Sequence, residues 1–264
     1  MRIWTLTGAV ACLLAAGSVA WGATGFEYGL DADTLALWHF NEKNGDEVGD
    51  ESGNGVEATI EGVATWDDND DWNANGANGR SFSFDGATQL AIPNAVDVVQ
   101  PDLITVEAWV YPTDLGGWKL IAAHWGGAIV GRFHLGVEAG VPKFHVNAGG
   151  AVSFAPASGP LELEVWTHVA GTADGSDVRI YINGEEDGSA AAKGDLEGAG
   201  GGHDVIIGAK ASREFQWVGL LDEVRISGRA RDPEELSPNL LGPAAVDPAA
   251  DTLPVVWAGL RSDR

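Results

Sequence analysis

The chain has 264 residues, with 15 basic and 39 acidic side chains and a formal charge of −24. So acidic a surface repels nucleic acid and anionic lipid, which removes both as partner classes. The single cysteine, Cys12, rules out an intrachain disulfide framework.

Residues 1–22 read as a secretory signal peptide. Arg2 supplies the positive start, and residues 3–20 are apolar or small. Ser18-Val19-Ala20 or Ala20-Trp21-Gly22 offers a cleavage site. A retained anchor would need about 20 strongly apolar residues. This run is diluted by Thr, Gly and Ser and is followed by Glu27 and Asp31. Cys12 is not placed as a lipid acceptor, because Ala9-Val10-Ala11 before it lack the expected Leu and the apolar run continues past it. The expected product is a secreted, cysteine-free, monomeric protein held by core burial, or by burial plus a metal.

Beyond the leader, short strands alternate with turn residues. Residues 35–40 place Ala36, Trp38 and Phe40 on one face. Residues 80–84 place Phe82 and Phe84 together, and 89–92 is a short apolar strand. In 104–111, ITVEAWVY, Val106, Ala108 and Val110 oppose Thr105, Glu107, Trp109 and Tyr111. Strands follow at 119–125, 132–138 and 142–146. The segment WTHVAGTADGSDVRIYING, 166–184, carries two turn pairs, Asp174-Gly175 and Asn183-Gly184, around an alternating strand. Strands at 204–207 and 220–226 complete the set. The one helical turn is 232–236, with Asp232 as N-cap and Pro233 at the first helical position. Residues 237–264 read as a Pro/Ala-rich tail. Many short strands without βαβ alternation predict an all-β, two-sheet antiparallel sandwich over 23–236.

Five segments in order carry a family resemblance: LALWHFNEKNGDEVGDESGNGVEATIEG, GRSFSFDGATQLAIPN, TVEAWVYP, WTHVAGTADGSDVRIYING and GLLDEVRISGRARDPEEL. Together, over residues 33–236, they resemble the LamG-like jelly-roll domains (laminin G-like, within the concanavalin A-like lectin/glucanase superfamily). The resemblance implies a jelly roll of about a dozen strands that serves as a binding module. The run 67–78, DDNDDWNANGAN, departs from the pattern as an inserted acidic loop.

The loop DESGNG, 50–55, gathers carboxylate, amide and carbonyl oxygens of the kind calcium takes. The resemblance implies a structural Ca2+ held by Asp50 and Asn54 with Asp222 from the last strand. The competing reading is an Asx-type turn at Asp50 and Asn54, with Asp222 capping a strand. Asp67, Asn69 and Asp71 mimic the start of an EF-hand loop, but Trp72 stands where its glycine belongs and Asn78 where its glutamate belongs.

Carbohydrate is the second candidate ligand, since sugar sites pair aromatic faces with a few polar groups. Of the 11 tryptophans, Trp38, Trp109 and Trp166 lie within strand patterns and are assigned to packing. Trp66, Trp72, Trp118 and Trp125 sit in or beside loops. In the hairpin 132–147, Phe133, Leu135 and Val137 share a face with Phe144 and Val146. Arg132, His134, Lys143 and His145 then project from the other face, either as a ligand patch or as an ordinary solvated surface. Trp118, Trp125, Arg132, His134 and His145 are therefore the candidate ligand-binding residues. His168, alone in mid-strand, reads as structural, and no histidine spacing fits zinc. Glycoside hydrolysis needs two carboxylates across a cleft. Only Glu162 and Glu164 approach such a pair, so no catalytic residue is assigned. The expected function is non-catalytic binding of a glycan or an extracellular surface protein. The alternative is an adhesive module without a sugar site.

Overall fold

The computed structural model describes residues 27–69, 79–93, 103–126, 129–196 and 204–236. The leader, most of the 67–78 loop with Trp72, and the 237–264 tail lie outside the described residues.

Among the described residues, sixteen strands form two antiparallel sheets. Sheet I runs β14 (Glu185–Ala191), β13 (Asp177–Ile182), β12 (Thr167–Ala173), β7 (Ile104–Pro112), β16 (Val218–Ser227), β5 (Ser81–Asp85) and β4 (Trp66–Asp67). β1 (Thr34–Trp38) pairs with β16 beyond the end of β5. Sheet II runs β11 (Ala151–Pro156), β10 (Val141–Ala148), β9 (Ile129–Glu138), β8 (Trp118–Gly126), β15 (Val205–Ile207), β6 (Gln89–Ile92), β3 (Ala58–Glu61) and β2 (Glu47–Val48). A single turn of helix, α1 (Pro233–Leu236), follows β16.

Period-2 alternation sends one face of each sheet into a shared core. Val106, Ala108 and Val110 of β7 and Val169 of β12 meet Phe133, Leu135 and Val137 of β9 and Phe144 and Val146 of β10. At Gly171 of β12 the two sheets approach closely. A Cβ there would lie 2.1 Å from the Phe144 ring, so only hydrogen fits. The Asn183-Gly184 turn has φ of +51° and +80°, the two positive values of a type I′ hairpin.

The expected strands all form, with ends shifted by at most three residues. β2, β3, β4, β11 and β14 were not anticipated. Each is very short, mixed in polarity, or at an edge where only one neighbour enforces alternation. Trp38 enters the main core as expected. Trp109 and Trp166 are buried too, but in a separate cluster with Leu220 on the opposite side of sheet I. Trp66 also packs: it sits edge-on to Phe82 at 5.4 Å, against the main core, and is no surface candidate.

Candidate functional site

The outer face of sheet II is built by the β9–β10 hairpin. Its two-residue turn, Ala139-Gly140, has φ of +50° and +84° and fixes the register. With Phe133, Leu135, Phe144 and Val146 inside, alternation puts Arg132, His134, Lys143, His145 and Asn147 outside. The ladder sets His145 opposite His134, Phe154 of β11 opposite His145, and Ala123 of β8 opposite His134. Three rings thus form one row across three neighbouring strands. His134 and His145 are 4.3 Å apart between ring centres, and His145 stacks on Phe154 at 4.6 Å and 11°.

Tryptophans from β8 flank the row. Trp125 lies 4.7 Å from His134, and Trp118 lies 5.7 Å from His134 and 5.5 Å from His145. Phe215 adds a contact to Trp118 at 6.2 Å. The Lys143 ammonium sits over both Trp118 (5.6 Å) and Phe154 (5.4 Å) and is ion-paired with Glu138. Arg132 donates to the Leu196 carbonyl at 3.2 Å. Trp118, Trp125, Arg132, His134 and His145 are all half-buried.

Burial, with a contribution from His145 and Lys210, pushes the His134 imidazole well below its ordinary value. Burial and the Lys143 charge lower His145 to about 4. Both rings are therefore neutral at pH 7. Both His134 nitrogens, His145 Nε2 and Asn147 Oδ1 are shielded from solvent and lack a hydrogen-bond partner among the described residues.

The five residues chosen from the sequence therefore share one face. Asn147, Phe154 and Phe215 were missed. Asn147 follows His145 by two and was readable by alternation. Phe154 lies one hairpin further on, past Gly149-Gly150. Phe215 reaches Trp118 from a loop distant in sequence, and no local pattern signals it.

The Asp50 loop folds differently from the cation cage that the resemblance implied. Asp50 Oδ1 accepts from the Leu37 and Ser52 N–H groups at 3.1 and 3.0 Å, and Oδ2 from the Ser52 hydroxyl and the Val56 N–H at 2.7 and 3.2 Å. Four donors aim at the two oxygens a cation would need, and they present positive dipoles there. Asn54 turns its NH2 toward the Thr34 and Leu35 carbonyls. Asp222 is buried on β16, where the ladder sets it opposite Trp109, and its Oδ1 accepts from the Glu223 N–H at 2.8 Å. Asp50, Asn54 and Asp222 as arranged do not fit Ca2+. The Asx-type turn accounts for the geometry of Asp50.

A second polar assembly lies on the outer face of sheet I. Glu107 is fully buried. Its Oε1 accepts from Arg225 Nε at 2.8 Å and its Oε2 from the Tyr28 hydroxyl at 2.7 Å. His168 Nε2 lies 2.6 Å from the Tyr28 oxygen and 3.2 Å from Glu107 Oε2. The Arg225 guanidinium stacks 3.7 Å from the Tyr28 ring centre. Burial raises the Glu107 carboxyl, but Arg225, His168 and Tyr28 outweigh it and hold it at about 2. Beside it, Glu223, with φ of +50° in a β16 bulge, accepts from the Tyr28 N–H at 2.6 Å and pairs with His39. His168 is thus structural, as its position predicted. Glu107 was read only as an outward-facing strand residue. Its partners Tyr28, His168 and Arg225 come from far along the chain, which no local pattern encodes.

Glu162 and Glu164 are exposed in the loop between β11 and β12, and Glu164 has φ of +58°. They share no strand face that would set a carboxylate pair across a cleft. No described helix is long and apolar enough to cross a membrane.

Residues 84–237 match the laminin G family model described as the concanavalin A-like lectin/glucanases superfamily. No curated protein sequence matches the chain. Among solved structures, the binding domain of Paraclostridial Mosquitocidal Protein 1 is similar with a TM-score of 0.60 at 14% identity, covering 78% of this chain and 51% of that one. Domain 4 of AbnA, an extracellular arabinanase from Geobacillus stearothermophilus, in complex with arabinotriose, has a TM-score of 0.54 at 21% identity, covering 78% and 97%. The binding domain of botulinum neurotoxin DC in complex with SialylT has a TM-score of 0.55 at 13% identity, covering 78% and 50%. The chain spans about half the length of the toxin domains. At these identities the likeness is one of fold.

Proposed function

The chain belongs to the concanavalin A-like lectin/glucanase superfamily, and from that membership we propose that it is an exported, non-catalytic binding module. Its ligand is carbohydrate, and the site is the outer face of sheet II. One observation carries the reading: Trp118, Trp125, His134, His145 and Phe154 line up as half-buried or exposed rings on that face. Main-core packing does not explain rings that point away from the core. A flat sugar face buries C–H groups on such rings while its hydroxyls seek polar atoms nearby. Binding domains recur among the structural neighbours, and one of them was solved with arabinotriose.

A second reading has one observation in its favour. Val152 and Phe154 on the edge strand β11 are 47% and 43% exposed. An apolar edge of that kind suits an extracellular protein partner and an adhesive role. Two substitutions separate the readings. Trp118→Ala and Trp125→Ala should each weaken glycan binding at least about tenfold, or ~1.4 kcal/mol, while the melting temperature stays near that of the parent. Unchanged binding would move the site elsewhere and favour the adhesive reading.

A further inference from the structure

The polar atoms of the ring row specify more than its location. His134 Nδ1 and Nε2, His145 Nε2 and Asn147 Oδ1 sit on two adjacent strands, on one face, and have no partner among the described residues. A buried polar atom without a hydrogen bond leaves its desolvation uncompensated. Four of them within one ring cluster are therefore a standing demand for hydrogen-bonding groups from outside the chain. A neutral imidazole offers one N–H donor and one acceptor, and an amide oxygen is an acceptor. That combination matches hydroxyl groups, which donate and accept at the same atom.

The charges around the row are already spent or turned aside. Lys143 is paired with Glu138, Lys210 with Glu214 at 3.2 Å, and Lys119 with Asp114 at 2.8 Å. Arg132 gives its Nη1 to the Leu196 carbonyl. Both imidazoles are neutral at pH 7. The chain as a whole carries −24, which opposes a polyanion at long range.

We propose that the row recognises a neutral, hydroxyl-rich sugar, with Trp118, Trp125 and Phe154 packing against its ring faces and His134, His145 and Asn147 reading its hydroxyls. The proposal rests on the carbohydrate-binding reading above and names its ligand class. Lys143 is the movable cover. Its ammonium lies over Trp118 and Phe154, the rings on either side of His145, at the end of a flexible four-carbon stem. A sugar reaches the shielded nitrogens by displacing it.

The test is a glycan array with two arms at physiological salt. One arm carries neutral hexose and pentose oligosaccharides, the other uronate-containing, sialylated and sulfated ones. The strongest binder is then titrated against wild type, His145→Phe, Asn147→Ala and Trp125→Ala. His145→Phe keeps the stack on Phe154 and removes only the nitrogens. The expected result is selection of the neutral arm. His145→Phe and Asn147→Ala should each weaken binding about tenfold at an unchanged melting temperature, the worth of one lost hydrogen bond. Preference for the anionic arm, with binding lost in Trp125→Ala, would overturn the ligand class and leave the site standing. Neutral-glycan binding insensitive to both His145→Phe and Asn147→Ala would overturn the assignment of the hydroxyl-reading groups. Binding to neither arm, or binding indifferent to Trp125→Ala, would overturn the underlying carbohydrate reading and this proposal with it.

Discussion

Glu107 shows how much a single side chain can control. It is fully buried, and its charge persists because Arg225, Tyr28 and His168 all address its two oxygens. Removing one member of a buried pair leaves the other charge stranded, at a cost of about 3–5 kcal/mol. Glu107→Ala should therefore destabilise by about that amount in denaturant unfolding, and a loss below about 1 kcal/mol would show the pair to be dispensable. Tyr28→Phe removes one donor and strands part of the cluster, for an expected loss of ~1–3 kcal/mol. The imidazoles of sheet II behave differently with pH. His145 has a folded value of about 4 against an ordinary 6.5, so folding favours its neutral form. Its contribution is complete above 6.5 and is lost as the pH falls toward 4. Glu107, held at about 2 against an ordinary 4.5, loses its contribution in a lower window, between those values. The melting temperature should fall from pH 7 to pH 4, and His145→Phe should flatten that slope. An identical slope in the variant would contradict the burial of His145.

At the scale of elements, packing between the sheets and closure of the first loop are the points of leverage. Gly171 lets β12 of sheet I approach Phe144 of sheet II, and a methyl group would strike that ring. Gly171→Ala should cost about 1–3 kcal/mol by overpacking, while Gly53→Ala, in open space but at φ of +81°, strains only the backbone. Asp50 accepts four hydrogen bonds, one from Leu37 of β1 and three from Ser52 and Val56 in its own loop. Asp50→Ala should lower the melting temperature equally in Ca2+ and in chelator. A loss confined to Ca2+ would restore the metal to this loop. Most of the strands were legible in the sequence, because central strands such as β7 and β9 alternate side chains of different character between their two faces. The same alternation put Arg132, His134 and His145 on one face in advance. Asn147 was within reach of that reasoning and Phe154 nearly so. Glu107 and Phe215 were not, since the partners of one and the loop that delivers the other come from far along the chain. The arrangement of Asp50 and Asn54 was out of reach for a related reason. A residue type suited to calcium is equally suited to capping backbone N–H groups, and only the fold decides which donors arrive first.

The whole molecule joins two sheets with different tasks. Sheet I carries a buried ionic assembly that Tyr28 joins through Glu107 and Glu223. Sheet II turns a row of rings outward on an otherwise acidic surface. A charge of −24 with a neutral ring row predicts glycan affinity that changes little with salt, whereas a polyanion-binding site would weaken steeply as salt rises. The claim that the outer face of sheet II is the carbohydrate site is tested most directly by backbone amide NMR during titration with a bound glycan. The largest shifts should fall in β8 to β11, centred on Trp118, Trp125, His134, His145 and Phe154, with sheet I unmoved. Shifts centred on the Asp50 loop or on sheet I, with the ring row silent, would contradict it.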